Sequence, residues 1–269
     1  MAATKNSTVA RPPVSIGRLK AREKQHFTIG IFGPSGAGKS TCQTTAVENP
    51  EELLIVNIDN SITTISGDYL VFPDPALGRP VESWEEFMEF FNWLESGGYK
   101  ELGITTISFD TMTELGSGLL RKWILSQPPR IGTRPSQGSF NQSDYGWFAD
   151  IFLDLLRRIR DLPLNKVLLM QTADQTYETP EGQVQLIRYP SFGEGQKTNR
   201  EAAQFVDMMG YLSVVPDEQT GKVNRTLLVY PLANRAAKIR TKPGVEAPLV
   251  FENPNLFEII QNYMVINGE

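Results

Sequence analysis

Eight consecutive residues have the types and the spacing of a phosphate-binding loop. Gly33, Pro34, Ser35, Gly36, Ala37, Gly38, Lys39 and Ser40 fit the pattern GxxxxGK[ST]. In this pattern the glycines allow a tight turn, so that successive backbone N–H groups converge on phosphate oxygens. The lysine places its charge at the β- and γ-phosphates, and the serine hydroxyl coordinates Mg²⁺. We therefore predict that ATP and Mg²⁺ bind at residues 33–41, a range that ends in Thr41. The alternative is a glycine-rich turn that only joins a strand to a helix.

A site for magnesium and a nucleotide also needs a carboxylate from a neighbouring strand. The apolar run 104–109 ends in Asp110, which we predict to act on the metal side through a water molecule. The alternative is that Asp110 caps the next helix, since Asp is common at N-caps. Asp59 follows a second apolar run and is a candidate for orienting water or Mg²⁺. Gln171 ends a third run and could sense the γ-phosphate, or could satisfy buried loop backbone instead.

These residues must be positioned by elements that alternate along the chain. Apolar runs predict buried strands and helical spacing predicts amphipathic helices. A mostly parallel central sheet flanked by helices, with antiparallel strands at the C-terminal end, is therefore the predicted α/β fold. The predicted strands are 27–32, 53–58, 104–109, 166–171, 209–215 and 226–232, with a hairpin around Glu181 and Gly182. The predicted helices are 39 to before 50, 83–96, 115–123, 144–162 and 254–264, with a long loop at 127–143.

Composition and charge exclude several classes of protein. The 269 residues are 40% hydrophobic and include one cysteine and one histidine, which excludes an internal disulfide and a zinc cluster. No apolar run is long enough for a membrane span, so we expect a cytoplasmic protein. The net charge is −5, but residues 1–25 carry +5. We interpret this segment as a flexible basic arm, followed by one domain at 26–269.

The ordered set of strand-end residues resembles the RecA-like core. The phosphate-binding loop is followed by Asp59, then Asp110, then Gln171, each after an apolar run. The stretch Asp144-Tyr145-Gly146 and the run 167–170 more narrowly resemble phage-encoded RecA-like ATP-binding proteins. Some members of that group act in single-strand annealing or recombination. The resemblance implies a homo-oligomeric ring or filament in the bacterial host cytoplasm, with single-stranded DNA and a single-strand-binding protein as partners.

The same resemblance assigns roles to residues outside the loop. The segments 127–143 and 174–200 correspond to DNA-binding loops, and the first contains a mixture suited to phosphate contact and base stacking: Arg130, Arg134, Phe140 and Tyr145. Lys238 and Arg240 resemble a Lys-x-Arg pair that contacts the γ-phosphate held by a neighbouring subunit. The alternative is that these two cations are simply exposed to solvent.

One position departs from the RecA-like pattern. A catalytic glutamate is expected two residues after Asp59, and that residue is Ser61. Either Asp59 substitutes for it or hydrolysis is slow. The leading hypothesis is a magnesium-dependent ATPase that acts on single-stranded DNA in phage recombination or replication. A nucleotide-gated assembly or regulatory module without nucleic acid is the alternative, and a small-molecule kinase is a third hypothesis for which no arginine-rich lid is found.

Overall fold

A computed structural model describes residues 26–136, 138–178, 184–216, 222–232 and 235–264. The predicted N-terminal arm at 1–25 and the predicted turn at Glu181 and Gly182 lie outside the described residues. None of the described helices is both long enough and apolar enough to cross a membrane.

Ten strands form the sheet within the described residues. They are β1 (Thr28–Phe32), β2 (Leu53–Asn57), β3 (Leu70–Phe72), β4 (Thr106–Asp110), β5 (Asn165–Glu178), β6 (Val184–Ser191), β7 (Met208–Pro216), β8 (Val223–Leu228), β9 (Lys238–Ile239) and β10 (Val250–Glu252). The strand order is β10-β8-β7-β1-β5-β4-β2-β3, with β6 paired to β5 and β9 to β7. Strands β1 to β5 and β7 pair in parallel, and β6, β8, β9 and β10 pair antiparallel. The predicted fold class is confirmed.

Helices connect the parallel strands, as crossovers of this kind require. They are α1 (Lys39–Gln43), α2 (Trp84–Glu95), α3 (Met112–Glu114), α4 (Arg121–Ser126), α5 (Gln142–Asp161), α6 (Gln196–Glu201) and α7 (Leu256–Tyr263). A π-helical segment at Leu115–Leu120 joins α3 to α4. The prediction of a helix reaching almost to Pro50 was wrong, because α1 ends at Gln43 and continues only as a 3-10 turn to Ala46. The predicted long loop lies between α4 and α5.

Two apolar cores cover the two faces of the sheet. Side chains of β1 alternate between them, with Ile29 and Ile31 in one core and Phe32 in the other, as the two-residue period of a strand requires. The core of Ile29 and Ile31 includes Leu256 from α7. The opposite core includes Phe87 from α2 and aromatic residues from α5. Because the strands are packed on both faces, the positions of their ends are fixed.

Candidate nucleotide-binding site

The carboxyl ends of the parallel strands meet around one pocket. Phe32 of β1 pairs with Met170 of β5, so the phosphate-binding loop and Gln171 leave the sheet at the same level. The pocket has a volume of about 380 Å³. Its lining includes Ser35, Gly36, Gly38, Lys39, Ser40, Thr41, Asp59, Ser61, Thr64, Asp110, Thr111, Gln171 and Arg225. The structure therefore brings together the three strand-end residues singled out from the sequence, as expected for a site at the carboxyl edge of a parallel sheet.

The loop glycines are required by geometry. Gly36 has φ +77° and Gly38 has φ +89°, a backbone conformation that residues with a side chain rarely adopt. A Cβ atom on Gly33 would lie 2.2 Å from the carbonyl oxygen of Leu212 in β7, so this glycine allows the loop to pack against the neighbouring strand. Ala37 is buried in the core. Thus Gly33 and Ala37 position the loop, while most of its other residues face the pocket.

Lys39 is a buried cation among weak partners. Its Nζ donates hydrogen bonds to the carbonyl oxygens of Gly33 at 3.0 Å and Pro34 at 2.9 Å, and it lies 3.5 Å from Oε1 of Gln171. Burial lowers the pKa of Lys39, and the negative charges of Asp110 and Asp59 act in the opposite direction. A phosphate oxygen would supply the direct negative partner that the ammonium lacks.

Asp110 has one satisfied and one unsatisfied carboxylate oxygen. Its Oδ2 accepts hydrogen bonds from Gln43 at 2.9 Å and from Ser61 at 2.7 Å. Its Oδ1 is buried without a partner among the described residues. Burial and the charge of Asp59 raise the pKa of Asp110, while the nearby hydroxyl groups of Ser61 and Ser40 and the amide of Gln43 oppose this rise. A cation or a metal-bound water at Oδ1 would favour the ionised carboxylate.

The helix-cap alternative for Asp110 does not hold. The N-cap of α3 is Thr111, whose hydroxyl accepts the N–H of Glu114 at 3.2 Å. Asp110 is the last residue of β4 and makes its side-chain contacts in the pocket. Its carboxylate is therefore available to the chemistry of the site.

The residues present fit Mg²⁺. The Ser40 hydroxyl and the Asp110 carboxylate are hard oxygen donors, and the unpartnered Oδ1 is the observation that favours a cation there. Within the described ranges, no three Asp, Glu, His or Cys side chains cluster as a metal site. Phosphates and water would thus have to complete the coordination, as is usual for Mg²⁺ beside a nucleotide. When bound, the ion would neutralise charge on the phosphate oxygens.

Ser61 occupies the place expected for a catalytic glutamate and lies in the pocket. Its hydroxyl donates to Asp110, and its N–H donates to Oδ1 of Asp59 at 3.1 Å. Ser61 has no carboxylate with which to accept a proton from water. Asp59 is exposed at the pocket, whereas Asp110 is buried.

The polar residues of the site that the sequence analysis missed include Gln43 and Arg225. Gln43 donates to Asp110 and accepts a very short hydrogen bond from Ser108, which fixes its amide. Its spacing of four residues after Lys39 places it on the same side of α1, so the helical period could have identified it. Arg225 comes from β8, and no local pattern in the sequence connects it with the loop.

Lys238 and Arg240 do not reach this pocket within one chain. Lys238 of β9 pairs with Met209, which in turn pairs with Gly30 in the middle of β1. Arg240 follows β9 and forms a salt bridge with Asp207 at 3.0 Å. Burial and the charge of Arg240 lower the pKa of Lys238. The pair is thus not a contact of its own subunit's nucleotide site in this structure.

The residues predicted to bind DNA divide into two groups. The Arg134 guanidinium is occupied inside the protein, because it donates to both oxygens of buried Asp144 and to backbone carbonyls of Ile124, Leu125 and Gln127. Phe140 is also buried. Arg130 is exposed and lies over the ring of Trp147 at 4.2 Å, and Tyr145 is 46% exposed. Arg130 and Tyr145 are therefore the two that remain accessible to a partner.

Removing the Asp144 carboxylate is expected to destabilise the fold. Asp144→Asn leaves a guanidinium without its buried counter-charge, which costs about 3 kcal/mol of the free energy of unfolding. Hydrogen bonding to Arg134 lowers the pKa of Asp144, so this stabilisation is complete above the unfolded pKa and is lost as pH falls through the lower folded pKa. Unfolding by denaturant measures this loss in the free energy of unfolding. Asp161→Asn, which breaks the exposed pair with Arg160, should cost about 1 kcal/mol or less; equal losses for both variants would contradict the prediction.

The fold and the phosphate-binding loop together define a P-loop ATPase. Residues 25–241 match the AAA domain family, and the chain belongs to this family. A KaiC-like protein from the hyperthermophilic archaeon Pyrococcus horikoshii is similar in structure at 10% sequence identity, with 86% of this chain and 91% of that chain covered and a TM-score of 0.37. No curated protein matches the chain significantly.

Proposed function

We propose that this chain hydrolyses ATP with Mg²⁺ at a boundary between subunits of a homo-oligomer and acts on single-stranded DNA in phage recombination or replication. One observation supports the proposed binding and hydrolysis of ATP. Lys39, Ser40 and Asp110 converge in one pocket, and the Asp110 Oδ1 is left unpartnered there. Membership of the AAA domain family supports the same conclusion.

Each residue of the site has a distinct proposed role. The loop N–H groups and Lys39 bind the phosphates, and Gln43 and Ser61 orient the Asp110 carboxylate. Asp59 is the candidate for orienting the attacking water. Because Asp59 is exposed and Ser61 replaces the expected glutamate, we expect slow turnover without a partner.

The oligomer is proposed from the resemblance of Lys238 and Arg240 to a Lys-x-Arg pair that acts across a subunit boundary. Both lie away from the pocket of their own chain, so a role at the γ-phosphate requires a neighbouring subunit. The Gln171 side chain could transmit the state of the nucleotide, since it lies beside Lys39 and its backbone begins the part of β5 that pairs with β6. The β5–β6 hairpin belongs to the segment predicted to face DNA.

The DNA half is tested by measuring ATP hydrolysis with and without single-stranded DNA. We expect stimulation, and binding of a labelled oligonucleotide that weakens between 50 mM and 200 mM salt because phosphate contacts release counterions. Tyr145→Ala should lower the affinity about tenfold, since one base stacked on an aromatic ring contributes about 1–3 kcal/mol. The control is Lys100→Ala. Lys100 is an exposed cation that precedes β4, at the amino end of this strand and therefore away from the pocket at the carboxyl ends. Absence of both stimulation and salt-sensitive binding would refute a role on DNA.

A nucleotide-gated assembly module without nucleic acid is the second candidate. Ser61 at the glutamate position favours binding over turnover, and residues 26–269 carry a net charge of −10, which disfavours a polyanion partner. Mass measurement with and without Mg·ATP distinguishes the two. An assembly that responds to nucleotide in a protein with no affinity for single-stranded DNA would support the module.

A further inference from the structure

Arg225 lies level with the phosphate-binding loop. It belongs to β8, where it pairs with Val214 of β7. Strand β7 runs beside β1, with Tyr211 opposite Phe32. Val214 is therefore three residues beyond the end of β1, or about 10 Å at the rise of a strand. The β7–β8 ladder thus extends past the sheet edge and carries Arg225 alongside the loop that follows β1.

The Arg225 side chain covers Gly38. A Cβ atom on Gly38 would lie 2.3 Å from Nε and 3.2 Å from Cζ of Arg225. Arg225 also lines the pocket together with Ser40 and Thr41. Burial raises the pKa of the nearby Cys42 thiol to about 12, and the charge of Arg225 opposes this rise. Three observations therefore place the guanidinium at the first turn of α1.

The backbone of Arg225 is fixed by hydrogen bonds, but its side-chain Nε lacks an acceptor. Its N–H donates to Oδ1 of Asn253 at 3.1 Å, and its carbonyl accepts the N–H of Asn253 at 2.6 Å. Its Nε is buried and has no hydrogen-bond partner among the described residues. A buried charged donor without an acceptor is costly. The arrangement fits an oxyanion that completes the guanidinium's hydrogen bonds.

The strand order decides which part of a nucleotide Arg225 can reach. The order β8-β7-β1-β5-β4 puts Arg225 on one side of the loop and Asp110 on the other. Mg²⁺ and the β- and γ-phosphates belong to the side of Ser40 and Asp110. The opposite side of the loop is left for the α-phosphate and the nucleoside.

We propose that Arg225 binds the α-phosphate of the nucleotide held by its own chain. The inference rests on the proposed function, since it requires a nucleotide in this pocket. It makes Arg225 a determinant of nucleotide affinity that acts within one subunit, unlike Lys238 and Arg240. Because ATP and ADP share the α-phosphate, Arg225 contributes equally to the binding of both.

The test compares ATP and ADP binding in Arg225 variants of the full chain. Arg225→Ala should raise the Kd of Mg·ATP and of ADP by the same factor, about 10- to 100-fold, the range of a hydrogen bond to a charged group. KM should rise with Kd, and kcat at saturating ATP should stay within about twofold, because the contact is uniform between ground state and transition state. Arg225→Lys should recover part of the affinity, since it keeps the charge and loses the planar fork. Arg158→Ala is the matched control, because Arg158 is a half-buried arginine of α5 that pairs with Glu95 away from the pocket.

The outcomes separate the two proposals. A wild-type protein that binds no Mg·ATP would refute the proposed function itself. A wild-type protein that binds, with Arg225→Ala binding ATP and ADP equally well, would overturn the role of Arg225 alone. A variant with unchanged ADP affinity and a reduced kcat would place Arg225 at the γ-phosphate and overturn the α-phosphate assignment. Thermal unfolding without nucleotide verifies that each variant is folded.

Discussion

Lys39→Ala is expected to abolish the response of the protein to nucleotide. The ammonium is buried beside the loop carbonyls, and no other lysine lines the pocket among the described residues. Its loss removes the point charge that we propose to contact the β- and γ-phosphates, which should lower the rate of hydrolysis by about 10² to 10³. A ligand at a concentration of 100 times its Kd stabilises the folded protein that binds it by about 2.7 kcal/mol. Wild-type Tm should therefore rise by about 5 to 10 °C with Mg·ATP, and the variant's should not.

The apo protein provides the control for Lys39→Ala. Burial lowers the pKa of Lys39, so its charged form is not favoured by the fold without a ligand. We thus expect the Tm of the variant without nucleotide to equal or exceed that of wild type. Lys100→Ala should behave as wild type in both measurements. A Lys39→Ala protein that keeps the full nucleotide-dependent rise in Tm would show that the ligand binds elsewhere.

The double substitution Lys238→Ala and Arg240→Ala should have a similarly large effect on hydrolysis by a different route. A cation supplied by a neighbouring subunit contributes about 10³ to 10⁵ to the rate of phosphoryl transfer. The pair lies away from its own pocket, so Mg·ATP affinity should change little. Steady-state kinetics should show a reduced kcat with Kd for ATP retained, the reverse of the result expected for Arg225→Ala.

Mixing two inactive proteins tests the contact between subunits. Lys39→Ala protomers retain the basic pair, and the double variant retains the pocket. In mixed oligomers some boundaries join an intact pocket to an intact pair, so hydrolysis should exceed that of either protein alone. Arg158→Ala, which breaks a surface pair with Glu95, controls for the loss of an arginine ion pair. Mixtures as inactive as their components would be evidence against action across a boundary.

Much of the fold follows from local patterns. Each parallel strand of the site was visible as an apolar run because it is buried on both faces. Strand β3 was missed because three half-buried residues carry too little pattern, and β9 has only two residues. The length of α1 was overpredicted, since nothing in the local sequence marks its change to a 3-10 turn at Thr44.

The interpretation of loop charges depended more on tertiary contacts. Arg134 and Arg130 are equivalent as cations in a polar loop. The structure gives Arg134 a buried carboxylate and three carbonyls, and leaves Arg130 exposed over an indole ring. Only the position of Asp144, ten residues later on α5, distinguishes them. Composition therefore indicates that a loop is basic but not which of its charges face solvent.

The amino-acid sequence alone predicted the phosphate-binding loop, the parallel strands that carry the site and the carboxylate of Asp110 at the end of one of them. Those features depend on neighbouring residues, namely the turn chemistry of Gly36 and Gly38 and the carboxylate that ends a buried run. Only the tertiary structure decided that Arg225 covers the loop and that Lys238 and Arg240 stay away from it. Strand order and register set those distances, and they result from packing between segments far apart in the chain, which local spacing does not encode.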